Sequence, residues 1–513
     1  MDRLEGYLAT CHDREKVEYV IRGLRFGFDL GYRGVVWETR PRNLLNTIEF
    51  HDGVTRAINK EIERGHTSGP FVDPPFHVVH VSPLGAVAKP DGSVRLILDL
   101  SSPRGFSINE GIDKEEFSCT YSHFDSAVEI VRQLGRGCYM AKIDIKHAFR
   151  LCPVRPDQWP LICFRWEGKY YVDTRLPFGG RSSPYIFNSL ADLLCWVFMV
   201  IGGVGFIVHY LDDFFFANST EESCRSDMVS VSGMCSDLGV PLAPDKVVGP
   251  SQVITFLGIE IDAVNFRVQL PEDKLKKIRG KIREFLGKKK VKQQELLSLI
   301  GLLTFASTVV RPGRMFLRRL IDLSMTVRSL HHFVSLNAEA RLDLEWWDRF
   351  VTSWNGVSLI PSPTRSSPDM DFFTDASDLG FGAVFGKGWV YSSWPDEWKD
   401  TSINAREAFG IWVAVKVWGR EWRDGQVVIH TDSAVNTAVW KTGTCKDKDV
   451  MRVVRAMFMY AASINLSITL LHIPGHQNIK ADLLSRFKLD QFKVRFPDME
   501  PRPSRIPSDV WDI

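Results

Sequence analysis

Paired cysteines are what this chain most plainly lacks. Its nine cysteines (Cys11, Cys119, Cys138, Cys152, Cys163, Cys195, Cys224, Cys235 and Cys445) are scattered, with no C-x-x-C pair and no Cys/His cluster. That spacing argues against a zinc knuckle or finger and predicts a reducing setting inside the cell, in the cytoplasm, the nucleus or both. An excess of one charge is missing too. Lys and Arg number 64 against 62 Asp and Glu, a net charge of +2, so any electrostatic role depends on where charges cluster. No apolar signal core follows Met1-Asp2-Arg3-Leu4-Glu5, and secretion is not expected. The longest apolar run, residues 193–208, contains Gly202, Gly203 and Gly205; it reads as a buried helix, a glycine turn and a buried strand, not a membrane span. Core-forming residues are plentiful: 44% of the 513 residues are hydrophobic and 25% charged, enough for three or four soluble globular domains.

The chain is organised around Tyr210-Leu211-Asp212-Asp213, set between the β-favouring runs Gly205-Phe206-Ile207-Val208 and Phe214-Phe215-Phe216. Side chains alternate along a strand, so a hairpin turn is the usual way to aim adjacent acids at one spot. Crowded carboxylates repel, and one stays protonated unless a cation lies between them. Phosphoryl transfer assisted by Mg²⁺ wants such a site. Asp144, inside the apolar strand Ala141-Lys142-Ile143-Asp144-Ile145, is costly to bury unless paired or metal-bound. Residues 78–100 read as strand, turn and strand around Pro90-Asp91-Gly92-Ser93, with Lys89 and Arg95 placed to clamp a triphosphate. The loop Leu176-Pro177-Phe178-Gly179-Gly180 leads into a helical run at 185–198 and lets backbone approach a substrate.

The series Arg95 to Asp99, Asp144-x4-Phe149, Leu176-Pro177-Phe178-Gly179, Tyr210-Leu211-Asp212-Asp213, Lys246 and Phe256-Leu257-Gly258 resembles, in order and spacing, the motifs of reverse transcriptases. The resemblance implies an α+β multidomain protein, a right-hand polymerase of fingers, palm and thumb. It implies Asp144, Asp212 and Asp213 as metal ligands, joined by the backbone of Ile145, and Lys246 as proton donor to the leaving group. Lys89, Arg95, Phe178 and Gly179 would contact the incoming nucleotide. Phe149 stands where the family carries an aromatic that blocks a ribose 2′-hydroxyl, which implies dNTP substrates. Phe178 departs from the Gln of retroviral enzymes and matches other retroelements. Gly69-Pro70-Phe71, Ser82-Pro83-Leu84-Gly85 and Asp144 to Arg150 look most like the tyrosine-recombinase, DIRS-like retrotransposons, over about residues 23–486. There is no Asp-Ser-Gly or Asp-Thr-Gly protease signature and no recognisable recombinase, so a separate recombinase and a nucleocapsid-like protein of the same element are the implied protein partners.

After the palm, residues 275–286 place Leu275, Ile278, Ile282 and Phe285 on one helical stripe. Lys274, Lys276, Lys277, Arg279, Lys281, Arg283, Lys288, Lys289, Lys290 and Lys292 surround it, against the single acid Glu284. Such a face predicts a grip on a phosphate backbone. Helices are expected at 293–310 and 341–354, and Pro361 to Asp369 reads as a linker.

Beyond it Phe373-Thr374-Asp375, Ala405-Arg406-Glu407, Thr431-Asp432-Ser433 and Ala481-Asp482-Leu483 place four acids at strand ends or helix starts. This is similar to the ribonuclease H fold, in which four such acids hold two Mg²⁺ ions. The resemblance offers His476 as the loop histidine before the last acid, although only six positions separate it from Asp482. The expected organisation is an N-terminal helical segment (1–75), fingers and palm (76–265), thumb and connection helices (266–360), a linker (361–370), a ribonuclease H-like α/β domain (371–487) and a C-terminal tail (488–513), extended over Pro497 to Pro507 with its four prolines. The expected activity is RNA- and DNA-directed DNA synthesis on an RNA template and DNA primer, with cleavage of RNA/DNA hybrids. Two Mg²⁺ ions serve each site, with Mn²⁺ able to substitute. The alternative is an inactive, domesticated relative that binds nucleic acid as a scaffold.

Overall fold

The computed structural model describes residues 2–89, 92–121, 124–353, 355–358, 372–423, 425–464, 466–511 and 513. Pro90 and Asp91 of the expected hairpin turn, Trp354 and the expected linker at 361–370 lie outside the described residues. The chain forms two compact units that divide between Phe266 and Arg267.

In the first unit, a four-stranded antiparallel sheet runs in the order Ile207–Tyr210, Asp213–Asn218, Tyr139–Asp144, Val248–Ser251. Three consecutive phenylalanines, Phe214, Phe215 and Phe216, are fully buried, which requires cover on both faces of the strand. Phe214 meets Phe198 of the helix Ser183–Val200 at 5.6 Å between ring centroids. Phe215 faces the other way and meets Phe256 at 5.2 Å. Among the described residues Ser183–Val200 is the one helix long and apolar enough to cross a membrane, and 67% of it is buried inside the fold. A hairpin of Leu84–Ala88 and Val94–Leu98 and a sheet ordered Thr67–Phe71, Lys169–Asp173, Cys163–Trp166 are separate from this sheet. The first 75 residues are helical only in part, at Asp2–Tyr7, Arg14–Phe26, Asn46–Glu49 and His51–Glu63. Between them the chain is irregular, because Gly27 and Gly31 take left-handed conformations and Pro41 cannot continue a helix.

The second unit opens with the short strand Arg267–Gln269 and continues in helices. Glu272–Leu286 buries Leu275, Ile278, Ile282 and Phe285, the expected stripe. Its cations are less free than the sequence suggested. Glu284 takes Lys281 and Lys288, Glu272 takes Lys276, and Asp348 from the helix Ala338–Phe350 takes Arg279 and Arg283. The helix expected over 293–310 stops at Ala306, and a 3-10 turn follows at Arg311–Phe316.

The α/β half has a five-stranded sheet ordered Gly388–Ser393, Gly380–Phe385, Phe372–Ala376, Gln426–Thr431, Ser467–His472. The first three strands are antiparallel, and the last two run parallel to Phe372–Ala376 and to each other. The helix Ile403–Trp418, apolar over most of its surface, packs on this sheet. Ile479–Ser485 packs on it so closely that a Cβ at Gly382 would lie 2.4 Å from Leu484 Cβ, so only glycine fits there. The C-terminal tail, expected to be extended over 497–507, is docked on this domain. Leu489–Arg495 is a helix with Phe492 buried, Trp412 Nε1 donates to Val510 O at 2.8 Å, and Trp389 Nε1 donates to Glu500 O at 2.7 Å. Aromatic anchors at Phe492, Phe496 and Trp511 outweigh the prolines that suggested extension.

Candidate active sites

The hairpin of Ile207–Tyr210 and Asp213–Asn218 pairs Tyr210 with Asp213 and leaves Leu211 and Asp212 as a two-residue turn, with Leu211 at φ 52°. A leucine in the left-handed region is a strained turn residue, held here by the buried strands on either side. The register places Asp144 directly opposite Asp213, and Ile145 N donates to Asp212 O at 3.0 Å. Asp144 and the adjacent pair Asp212-Asp213, distant from it in sequence, thus share one end of the sheet.

Their electrostatics show the crowding. Burial first, then Asp212 and Asp144, push the Asp213 carboxyl up to about 6. Burial and Asp144 raise Asp212 as well, with Lys246 and Arg95 pulling the other way. Lys246 Nζ lies 2.7 Å from Asp144 Oδ2. Among the described residues no three His, Cys, Asp or Glu side chains are already closed around a metal position. The donor set nevertheless fits a hard divalent cation: every ligand candidate is a carboxylate or backbone oxygen, and a cation would relieve the repulsion that raises Asp212 and Asp213.

Around the acids, Phe149 and Phe178 are 5.2 Å apart between centroids and Arg95 lies over the Phe178 ring at 5.4 Å. Gly179 has φ 115°, and a Cβ there would meet Leu98 O at 2.2 Å. Asn109, which the sequence did not single out, holds this loop by donating Nδ2 to Gly179 O and accepting from Arg181 N on Oδ1. Lys89 stands exposed at its end of the hairpin.

The second constellation assembles on the five-stranded sheet. Burial raises Asp375 to about 7; a hydrogen bond from Ser485 Oγ opposes the shift, and Asp432 and Asp482 add to it. Burial and then Asp432 also raise Glu407, while Ser433 and Asn436 hydrogen bonds oppose it. Asn478 Nδ2 bridges Thr374 O at 2.8 Å and Asp432 Oδ1 at 3.2 Å. Asp482 is paired with Arg486 Nε at 2.6 Å. All four expected acids therefore interact as one group, again with oxygen donors only. His476 sits in the 3-10 turn Gly475–Gln477 with its side chain exposed; Gly475 is the part of that loop that approaches Asp432. The Asp482/Arg486 pair was visible as an i,i+4 spacing. Ser485, 110 positions from Asp375, carried no such signal.

Residues 87–261 match the family model for reverse transcriptase (RNA-dependent DNA polymerase), so the chain carries a reverse transcriptase domain. The chain is similar to Polyprotein P3 of Commelina yellow mottle virus, 23% identical over 435 residues, covering 79% of this chain and 21% of that polyprotein. It is also similar to the Pro-Pol polyprotein of Simian foamy virus type 1, 26% identical over 230 residues, covering 45% of this chain and 18% of the relative. The chain spans about a fifth of the length of these curated relatives. Among solved structures, the foamy viral protease-reverse transcriptase in complex with dsDNA matches with a TM-score of 0.51 at 17% identity, covering 92% of this chain and 97% of that one. The same protein in complex with RNA/DNA hybrid matches at 0.51 and 18%, covering 86% and 56%. The fold is thus the expected α+β multidomain one, a polymerase fold followed by a further α/β domain.

Proposed function

We propose that this chain is an RNA- and DNA-directed DNA polymerase that also cleaves the RNA strand of RNA/DNA hybrids. The observation that carries this reading is the pair of separate carboxylate clusters, Asp144/Asp212/Asp213 and Asp375/Glu407/Asp432/Asp482, each with acids pushed up by burial and mutual repulsion. Asp144, Asp212, Asp213 and the Ile145 backbone would hold Mg²⁺ in one site, and the four acids of the other cluster would hold it in the second. The bound ions supply a Lewis acid for the attacking oxygen and a counter-charge for the phosphate. Arg95, beside Phe178, would bind triphosphate charge, and Lys246, hydrogen-bonded to Asp144, would give a proton to departing pyrophosphate. Retroelement RNA is the template in this reading, a DNA primer and dNTPs the other substrates. The Asp144 to Arg150 and His209 to Phe214 motifs favour an element of the DIRS-like group, working inside the cell, with a recombinase supplied by another chain. The neighbours solved with dsDNA and RNA/DNA hybrid support the choice of nucleic acid.

The test is purified chain with labelled RNA template, annealed DNA primer, Mg²⁺ and dNTPs. Primer extension with degradation of the template supports the reading. Salt-sensitive binding with neither activity, under any metal or salt condition, moves the protein to the scaffold alternative.

Two expected outcomes refine it. Phe149→Val opens the space beside Phe178 and lowers the dNTP/rNTP selectivity at least ~tenfold in single-nucleotide incorporation; unchanged selectivity removes the gate. Lys277 of the helix Glu272–Leu286, Lys289 in the turn after it and Lys290 at the start of the strand Lys290–Lys292 are exposed cations outside the helix's ion pairs among the described residues. The Lys277→Gln/Lys289→Gln/Lys290→Gln variant should weaken hybrid binding and flatten the log–log salt dependence by about 0.9 per lost phosphate contact. An unaltered slope places the grip elsewhere.

A further inference from the structure

Arg150 follows Phe149 directly in the 3-10 turn Ala148–Leu151, and its side chain is only 6% exposed. Burying a guanidinium there requires full compensation, and the fold supplies it from three directions. Arg150 Nη1 donates to Asp173 Oδ2 at 2.9 Å, and Asp173 Oδ1 accepts from Thr67 Oγ1 at 2.7 Å. Arg150 Nε lies 3.2 Å from Glu61 Oε2, at the end of the helix His51–Glu63. Glu61 is itself engaged by His66 and Arg64, each at 3.0 Å. Arg150 Nη1 also reaches Leu176 O at 3.4 Å, the first carbonyl of the Leu176-Pro177-Phe178-Gly179 loop, and the guanidinium lies 5.9 Å from the Phe178 ring centroid. One side chain thus ties together the turn that carries Phe149, the loop that carries Phe178, the strand Lys169–Asp173 and a helix from the first 75 residues.

We propose that Arg150 is a positioning residue for nucleotide selection, fixing the Phe149 and Phe178 rings against each other so that together they form the wall that meets the sugar of the incoming nucleotide. This rests on the polymerase reading above and assigns a role to a residue that touches no substrate. A buried salt bridge is weak evidence of stabilisation, since an apolar replacement of similar volume is often tolerated. Its value here is geometric: a guanidinium fork has fixed donor directions, and an ammonium cannot satisfy Asp173, Glu61 and Leu176 O together. Displacing either ring by about an ångström is enough to change substrate positioning.

The experiment measures single-nucleotide incorporation of dNTP and rNTP by the full chain and by Arg150→Met, Arg150→Lys and Arg150→Met/Asp173→Asn/Glu61→Gln. Cleavage of a preformed RNA/DNA hybrid, which uses the other cluster, is the folding control. The triple variant removes the acids that Arg150→Met would strand, so loss of the fold does not hide the answer. The expected result is a dNTP KM raised about tenfold with kcat within about twofold, and a dNTP/rNTP ratio lowered by a similar factor, in both Arg150→Met and the triple variant. Arg150→Lys should recover part of the KM and less of the selectivity. A folded triple variant with parental KM and selectivity overturns the proposal, as does a fall in kcat alone. A parent chain that cleaves hybrid but extends no primer overturns the polymerase reading and this role with it.

Discussion

Asp212→Asn/Asp213→Asn is expected to abolish primer extension, by ~10³-fold or more, while hybrid cleavage stays within about twofold of the parent. The substitution keeps the shape of the turn. Leu211 still takes the left-handed position, Ile145 N still donates to the backbone carbonyl of residue 212, and the phenylalanines after it still fill both faces of the sheet. It removes two of the three charges at that end of the palm, and with them the oxygen donors for a divalent cation. A loss of ~10³ corresponds to roughly 4 kcal/mol of transition-state stabilisation, the scale expected when the charge complement of a developing anion is deleted. The two readouts separate because the acids of the second cluster lie on another sheet, in the other compact unit. Equal loss of both activities would mean that the two clusters do not work independently. Retained extension would remove the hairpin acids from catalysis altogether.

The hairpin was legible in the sequence because its signals are local: an acid pair between two β-favouring runs admits few other structures. The stripe Leu275, Ile278, Ile282, Phe285 was legible for the same reason, and the structure buries all four. Partners that arrive from afar were legible only where the resemblance supplied them, as it joined Asp144 to Asp212 and Asp213. The opposition of Asp144 to Asp213 depends on strand register, and the pairing of Arg279 and Arg283 with Asp348 depends on how two helices cross. The count of ten cations against one acid was correct along the chain and misleading in space. The last residues failed in the opposite direction. Prolines between 497 and 507 suggested an extended tail, yet the aromatic rings of Phe492, Phe496 and Trp511 and the indole donors of Trp389 and Trp412 fasten the segment to the α/β domain.

Asp375→Asn should remove hybrid cleavage by ~10³-fold or more and at the same time make the metal-free protein more stable at pH 8. The two effects share a cause. Asp375 is 9% exposed, and burial, with Asp432 and Asp482 nearby, raises its carboxyl from 3.8 to about 7. A folded-state pKa above the unfolded value means that the native protein binds the proton more tightly. Its contribution to stability is therefore complete below about pH 4, declines as pH rises and is lost once the carboxyl ionises near pH 7. An asparagine carries no charge at either end of that range and still accepts from Ser485 Oγ, so the gap in Tm between variant and parent should open from pH 5 to pH 8. Asp213, at about 6, and Asp343, raised to about 6 chiefly by its burial, add the same sign in parent and variant alike and cancel in the difference. Mg²⁺ should then close the gap at pH 8 by stabilising the parent more than the variant, since a ligand that binds only the native state raises its stability by mass action. Thermal unfolding at pH 5 and pH 8, with and without Mg²⁺, measures all of this. If the parent is as stable as Asp375→Asn in metal-free buffer at pH 8, its four acids are not strained against one another. The second cluster would then lack the charge repulsion that makes a cation its natural occupant.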